Sequence, residues 1–435
     1  MQYCWSKFCI FEQTGDIVIV KNNLTSAVVK LRKDFFERIN KWIAGSILSM
    51  PANIESLLGD NAILVSTAMD EFESYQKSFL DTRNEKAFLF TLHLLPTLKC
   101  QLFCDYCVEK GIIRAQDLNE NVLAQTVRWL VTYFKSDFAK EVSMLKLVFF
   151  GGEPLLRQNT IKDSLISFSK LADQTGKNFI VELITNGTLL DKNTAGLFKS
   201  YNWKRVQITL DGPERIHNSR RYGQNKKGTF AEIIRNVTKL LDLGCVEKIN
   251  IRISIDLENA DYVPELLLFL ASLGWQDKIQ LTLGLITSNL AGRRVKYAAE
   301  IMADKMLSVW QSAQELGFKI PDEFIAGPWC VAIAKHSAVI EPSGSLQKCF
   351  CMVGRSEYSF GNIMDTPSEY ARDERFEHCR IGRCIKEQCP YIPVCGAGCI
   401  HDAVVKYGYN GFKKRFCQRI FIDKINRGLL RLNYS

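Results

Sequence analysis

From Ala87 to Thr287, short β-branched or aromatic runs alternate with amphipathic stretches, the pattern of a parallel sheet covered by helices. The runs predict strands at 87–95 (AFLFTLHLL), 145–150 (LKLVFF), 179–185 (FIVELIT), 205–210 (RVQITL), 248–255 (KINIRISI) and 278–286 (KIQLTLGLI). Between them NVLAQTVRWLVTYF, IKDSLISFSKLA, KNTAGLFKSY, TFAEIIRNVTKLLDLG and YVPELLLFLASLG repeat apolar residues at helical spacing. Six β/α units in about 200 residues predict an α/β chain built on a partial (β/α)6 barrel, in which sites form at the C-terminal ends of the strands.

On either side of this partial, TIM-like barrel the pattern changes. Residues 1–86 read as a small α+β module: a hairpin-like FCIFEQTGDIVIV, a short strand TSAVVKL, a helix DFFERINKWIAG, then AILVST and a charged helix. Residues 291–327 read as a helical linker (VKYAAEIMADKMLSVWQSAQELG) that ends at Ile-Pro and Gly-Pro, a boundary signal. Residues 328–435 are rich in cysteine, Gly and Pro and have little periodicity, as expected where metal replaces a hydrophobic core. The expected organisation is the module at 1–86, the barrel at 87–290, the linker at 291–327 and a cysteine-rich domain at 328–435.

With 47% hydrophobic and 24% charged residues, the 435-residue chain is globular in composition and not disordered. It has no apolar run of membrane-spanning length, and MQYCWSKFCIFEQ lacks a charged flank followed by an apolar core, so a cytoplasmic protein without a membrane partner is expected. Thiols in a reducing compartment point to metal sooner than to disulfides. Nine of the 15 cysteines fall in the last 106 residues, a local enrichment that marks a site. The net charge of +9 suits an acidic partner. Its runs, Arg220-Arg221, Lys226-Lys227, Arg293-Arg294 and Lys413-Lys414-Arg415, are short and lack interleaved aromatics, which argues for solvated faces and against a nucleic-acid partner.

Cys100-x3-Cys104-x2-Cys107 follows the first barrel strand directly, at the rim. Three thiolates can hold three irons of a 4Fe-4S cubane and leave the fourth iron free for a ligand. Gly151-Gly152-Glu153-Pro154 follows the second strand, and glycines let backbone carbonyls approach a ligand closely, a geometry suited to an ammonium group. Glu153 either adds charge there or orients the loop. Ile184-Thr-Asn-Gly187 ends the third strand and Thr209-Leu-Asp-Gly-Pro213 the fourth, followed by His217, Arg220, Arg221 and Gly228-Thr-Phe230.

CQLFCDYC, with Tyr106 just before the last cysteine, resembles the motif of the radical S-adenosylmethionine (SAM) superfamily, and the ordered set that follows resembles its peptide-modifying members. The resemblance implies that SAM chelates the open iron through its amino and carboxylate groups. One electron from the cluster then breaks the sulphonium bond, and the 5'-deoxyadenosyl radical removes a substrate hydrogen. It implies Cys100, Cys104 and Cys107 as cluster ligands and catalytic residues, and Tyr106, Gly151, Gly152, Glu153, Pro154, Asn186, Asp211, Arg220 and Arg221 as cofactor-binding residues. Within that set Asn186 and Asp211 are partners for ribose or carboxylate, and Arg220 or Arg221 pairs with an anionic group. The implied electron donor is a flavodoxin, a ferredoxin or a reductase.

The tail reads Cys330-x13-Gly344-x4-Cys349, then Cys384-x4-Cys389-x5-Cys395-x3-Cys399, then Cys417, and resembles the SPASM domain. The resemblance implies two auxiliary 4Fe-4S clusters, hence three in all. Cys330, Cys349 and Cys399 would bind the first, and Cys384, Cys389, Cys395 and Cys417 the second. The family usually has two residues between the first pair of the block where this chain has four, so either Cys384 or Cys379 is the block's first ligand. For the first cluster's fourth ligand the candidates are Cys351 and His336; otherwise one iron is open to substrate. Similar spacing also suits a zinc ribbon or double knuckle without redox chemistry. Cys4, Cys9 and Cys245 read as buried or incidental thiols.

By this resemblance the partner is a peptide or protein. The first reading is a maturase that installs a thioether, carbon-carbon or ether crosslink in a ribosomally made precursor peptide. The alternatives are an anaerobic sulphatase-maturating enzyme, which converts Cys or Ser to formylglycine, and a non-catalytic zinc- or cluster-binding regulatory protein. The 1–86 module resembles the winged-helix-like leader-recognition element of such maturases, in which a leader adds a strand to a sheet edge.

Overall fold

The computed structural model describes residues 2–46, 50–82, 88–112, 116–295, 298–325, 330–365, 373–377 and 380–434. Its centre is a run of parallel strands: β6 (Leu89–Leu94), β7 (Met144–Phe149), β8 (Asn178–Thr185), β9 (Trp203–Thr209), β10 (Ile249–Ile255) and β11 (Ile279–Leu285), numbered after five N-terminal strands given below. These are the six predicted strands, displaced by a residue or two at their ends. Helices Glu120–Lys135, Gln158–Thr175, Lys192–Ser200, Phe230–Leu243 and Val263–Ser272 cover one face and coincide with the five predicted helical stretches. The first is capped by Asn119, whose side chain accepts from the Val122 amide at 2.9 Å, and it buries Leu123, Leu130 and Phe134 at helical spacing.

Strand pleating gives the sheet two different faces. Along β10, Ile249, Ile251, Ile253 and Ile255 are buried in the main core, while Asn250, Arg252 and Ser254 alternate with them. The second face is polar: Lys146 of β7 and Arg205 of β9 flank Glu182 of β8 at 3.5 and 2.7 Å, and Asn250 donates to Thr282 Oγ1 at 2.8 Å.

The sheet does not close. Its order is β11-β10-β9-β8-β7-β6-β12-β13-β14, where β12 (Ser337–Ile340), β13 (Ser345–Gln347) and β14 (Gly361–Asn362) come from the cysteine-rich tail. β12 lies parallel to β6, with Ser337 opposite Thr91 and Ile340 opposite Leu94. The tail, read from sequence as having little periodicity, extends the sheet, packs an apolar cluster around Met352, Phe376, Val404 and Phe412, and ends in a long helix, Arg419–Tyr434. That helix buries Ile422, Ile425 and Leu429 and packs with helix Ala299–Glu315, which itself buries Met302, Met306 and Trp310 in the main core. No disulfide forms among the described residues, and no helix there is long and apolar enough to cross a membrane.

The N-terminal segment holds β1 (Tyr3–Trp5), paired with β5 (Leu64–Ser66), and a meander of β2 (Cys9–Thr14), β3 (Ile17–Asn22) and β4 (Val28–Arg32). The hairpin turns on Gly15-Asp16, with Gly15 at φ 57°, a conformation glycine adopts without strain. Of the meander's two outer strands, β2 is met by the C-terminal helix: Arg427 donates to the Phe11 carbonyl, and Arg431 pairs with Glu12 at 2.5 Å.

The segment is also fixed to the rest of the chain by an ion pair of buried Lys21 with the largely buried Glu323 at 2.8 Å, and by Asn23 donating to the Pro390 carbonyl at 3.0 Å. Removing one partner of a buried pair strands the other charge and costs about 3–5 kcal/mol. A Lys21→Met protein should therefore lose hydrogen-exchange protection across residues 9–32 by roughly that free energy while β7–β10 keep theirs; unchanged exchange in the meander would mean that the pair holds nothing.

Candidate active site

The cysteine loop after β6 is pinned by the ends of several other strands. From the β8 end, Thr188 accepts from the Gln101 amide at 2.7 Å, and Asn186 Nδ2 lies 3.9 Å from Cys100 Sγ. Beyond β9, the Tyr222 carbonyl accepts from the Phe103 amide at 2.9 Å. Past β11, Asn289 donates to the Tyr106 carbonyl at 3.3 Å. Cys100 Sγ also accepts from the Leu102 amide at 3.4 Å, the kind of N–H···S contact that stabilises a thiolate. Cys100 and Cys104 are near enough for their charges to interact, and the Cys107 amide donates to the Cys104 carbonyl at 3.2 Å. Burial, more than any neighbour, pushes the Cys100 thiol up to about 12. Three thiols in one loop, with Cys100 desolvated, suit a metal that replaces the protons.

Gly151 and Gly152 let the loop after β7 lie directly on this segment. A Cβ on Gly152 would sit 2.2 Å from the Lys99 carbonyl oxygen, and one on Gly151 2.5 Å from that of Thr97. The Glu153 amide donates to the Lys99 carbonyl at 2.8 Å. Glu153 is fully buried, and its carboxylate accepts from Asn186 N and Thr185 Oγ1, both at 2.7 Å, and from Leu155 N at 3.0 Å. Its contacts are those of the loop-orienting alternative; burial raises its pKa despite the donors. Pro154 is buried at the start of the following turn.

Tyr106 reaches inward to a buried hub. Its hydroxyl donates to Asp211 Oδ2 and accepts from Arg221 Nη1 at 2.5 Å. Asp211 is fully buried and also accepts from Ser254 N at 3.0 Å, so both of its oxygens are engaged. Arg221 lies near Cys104 and Asp211, which raise its pKa against the opposing effect of burial. Arg220 pairs with Asp256 at 2.9 Å and Glu258 at 3.3 Å while its guanidinium lies 5.4 Å from the centre of the Tyr106 ring. Of the two arginines, only Arg221 has its charge beside a cysteine of the motif.

His217 organises the turn behind this hub. The Asp211 amide donates to Nδ1 at 3.3 Å, so the proton sits on Nε2, which donates to Thr229 Oγ1 at 3.1 Å. Thr229 passes its own proton to the Arg221 carbonyl at 2.9 Å. Burial, then Arg221, holds His217 well below the ordinary imidazole range, and burial followed by Lys146 and Arg205 brings His93 down to about 3. Both are neutral when folded and gain a proton near pH 6.5 when unfolded, so their stabilising contribution is complete above that pH and is lost as pH falls below it. Stability in urea should therefore drop on going from pH 7 to 5 by up to about 1.4 kcal/mol per pH unit per histidine. His217→Gln should remove about half of the pair's slope, and an unaltered slope would refute the assignment.

The tail cysteines form two groups. Cys384, Cys389, Cys395 and Cys417 interact electrostatically with one another, and Arg415 lies 3.6 Å from Cys384 Sγ. The four-residue spacing is taken up by the short helix Gly382–Lys386, which brings the Cys389 amide to the Cys384 carbonyl at 3.0 Å. Cys379 lies outside the described residues. The second group is Cys330, Cys349 and Cys399, with Cys351 hydrogen-bonded to Cys349. His336 does not join it, a correction to the expectation: its Nδ1 meets Tyr133 Oη at 2.6 Å and its ring packs on Phe138, in the helical layer outside the sheet.

Arg252 escaped the sequence reading, although a charged residue amid INIRISI was its signal. Its guanidinium lies over Gly284 of β11, where a Cβ would come within 2.1 Å of Cζ. Burial lowers its pKa, and Tyr106, Asp211 and Cys351 act on it from nearby in the opposite sense. Arg252 thus links the rim loop electrostatically with Cys351 of the tail. Asn289, Gln101 and Ser254 were also missed, because their roles arise only where distant strand ends converge.

Residues 94–270 match the Radical SAM superfamily. A cysteine-type anaerobic sulfatase-maturating enzyme of Clostridium novyi (strain NT) is 32% identical over 148 residues, 34% of this chain and 39% of that protein. The chain thus spans about two-fifths of that relative's length. Among solved structures, native anSMEcpe with bound AdoMet and Cp18Cys peptide superposes with a TM-score of 0.60 at 18% identity, over 80% of this chain and 97% of that one. Streptococcus suis SuiB bound to precursor peptide SuiA does so with a TM-score of 0.53 at 16% identity, over 96% and 99%. The likeness to both structures is one of fold, including the open, mostly parallel sheet. The CxxxCxxC loop at the rim of that sheet lies within residues 94–270, the segment that matches the radical SAM superfamily.

Proposed function

We propose that the protein is a peptide maturase that installs a crosslink in a ribosomally made precursor peptide within the cytoplasm, drawing electrons from a flavodoxin, ferredoxin or reductase. The observation that carries this reading is the placement of Arg252 of β10, which lies over Gly284 and is reached by the charges of Tyr106 and Asp211 at the rim and of Cys351 in the tail. A substrate lying there has the radical source at one end and the tail's cysteines at the other. Cys100, Cys104 and Cys107 would hold a 4Fe-4S cluster, which with SAM would supply one-electron radical chemistry for hydrogen abstraction from the substrate.

The chain's own residues prepare that event. Glu153 and the paired glycines fix the loop over Lys99; Asn186 and the Leu102 amide face the Cys100 sulphur; Tyr106 and Arg221 set the inner wall. Two auxiliary clusters, held by the two tail cysteine groups, suit removal of the second electron that bond formation releases. An outer strand of the β2-β3-β4 meander suits a leader peptide as an added strand, and β4 is the outer strand opposite the one met by Arg427 and Arg431. SuiB, solved bound to the precursor peptide SuiA, supports the reading by matching nearly the whole chain, N-terminal segment included.

The test is incubation of the anaerobically reconstituted protein with SAM, dithionite and the short peptide encoded beside its gene. A product lighter by a pair of hydrogens per crosslink is expected, with 5'-deoxyadenosine formed alongside; unchanged peptide mass during SAM cleavage would count against it. The identity with the Clostridium novyi enzyme favours sulphatase maturation as a second reading. There a sulphatase-motif peptide gains formylglycine, and the precursor peptide is left alone.

A further inference from the structure

The first auxiliary site has three cysteines and, from sequence, no evident fourth ligand. Next to it stands a histidine that neither the family resemblance nor the sequence motifs single out. His401 and Asp402 open helix Ile400–Tyr407 directly after Cys399, and one ligand atom from each of Cys399, His401 and Asp402 lies within 4.8 Å of the others. Both side chains are buried, His401 at 3% exposure.

Their hydrogen bonds define which atom is available. His401 Nδ1 meets Asp402 Oδ1 at 3.1 Å, and Thr287 Oγ1 donates to the same oxygen at 3.0 Å. A carboxylate accepts, so the imidazole proton is on Nδ1 and Nε2 carries a lone pair. That Nε2 is buried and has no hydrogen-bond partner among the described residues. An orphaned acceptor of this kind costs free energy unless something occupies it. A carboxylate on one ring nitrogen with the other ring nitrogen free is the arrangement by which proteins orient a metal-binding histidine, and imidazole can replace cysteine on an iron of an iron-sulphur cluster.

We propose that His401 Nε2 is the fourth ligand of the auxiliary cluster held by Cys330, Cys349 and Cys399, with Asp402 as its positioning residue and Thr287, just beyond β11, holding Asp402. This rests on the proposed reading of the tail as a cluster domain. Cys351 then remains a neighbour of Cys349, beside Arg252, and no iron of this cluster stands open to substrate.

The experiment uses the full chain with Cys100, Cys104 and Cys107 all changed to alanine, reconstituted anaerobically, so that only the tail contributes signals. Pulsed EPR of the reduced protein is expected to detect one strongly coupled nitrogen. That coupling should vanish in His401→Ala and His401→Cys. His401→Ala should lose about one iron per chain on mild oxidation and give a three-iron signal. His401→Cys should keep its iron and show a lower midpoint potential, because imidazole ligation raises the potential relative to thiolate. Asp402→Asn should retain the nitrogen coupling with a shifted potential. The inference is overturned if the parent lacks the coupling, if the coupling survives in His401→Ala, or if iron is lost from Asp402→Ala while His401→Ala is unchanged. A tail that holds no iron and sulphide, or only zinc, overturns the cluster reading itself, an outcome visible in metal analysis before any spectrum is taken.

Discussion

Replacing Cys104 by alanine is expected to bring 5'-deoxyadenosine formation to background, a fall well beyond the ~10–100-fold that loss of an outer-shell partner costs a metal site. The loop does not depend on this sulphur for its course. Gln101 bonds Thr188, Phe103 bonds Tyr222, and Tyr106 is locked between Asp211 and Arg221. The change therefore removes a ligand and leaves the scaffold in place. Iron content should fall by about one cluster, while the signals of the tail persist, and far-ultraviolet circular dichroism should match the parent. Arg221, which has Cys104 as a charged neighbour, should titrate no differently in any accessible range, since arginine stays protonated. Retention of SAM cleavage by the alanine protein would remove the basis for placing the radical source at this loop.

Gly152→Ala should be nearly as damaging without touching any sulphur. The new methyl would meet the Lys99 carbonyl oxygen at 2.2 Å and the Leu98 carbonyl oxygen at 2.7 Å, both backbone atoms that no rotamer change can move. Relief requires shifting the segment that leads into Cys100, and overpacking of this kind costs roughly 1–3 kcal/mol or more. That segment is also held by the Glu153 amide on the Lys99 carbonyl, so loop and strand end must move together. Iron uptake at the rim should fall at least ~10-fold, by the conversion of about 1.4 kcal/mol per decade, while Gly196→Ala, where a Cβ has open space, serves as the control. Normal loading of Gly152→Ala would show that the close approach is dispensable.

How much of this was legible beforehand divides along physical lines. Periodicity located β6–β11 and their helices because those elements bury one face each, and the signal is local. The motif cysteines and GGEP announced themselves by spacing and by position after a strand. The tail was read less well. SAVI and SLQ are too short to be distinguished from loop, and their strand character comes from β6 offering an edge. Helix Arg419–Tyr434 has a plain amphipathic repeat that was overlooked beside the cysteines. Sequence offered Asp211 as a ligand partner and Glu153 as either a charge or a loop-orienting group, and the structure gives both buried partners within the chain; a turn residue can hold the site together from behind. Arg252 was hidden because charge on the inner face of a partly open sheet contradicts the usual expectation for a parallel strand.

The pairing of β12 with β6 makes the cysteine-rich tail and the half that carries the CxxxCxxC loop a single mechanical unit. A fragment cut before residue 330 would keep every motif cysteine yet uncover the long side of the strand that leads to them, leaving unpaired amides and carbonyls that invite self-association. Swapping in a foreign tail would require it to donate a matching strand in the same direction and register. Whatever disturbs the tail is thereby felt one strand away from the cysteine loop at the rim.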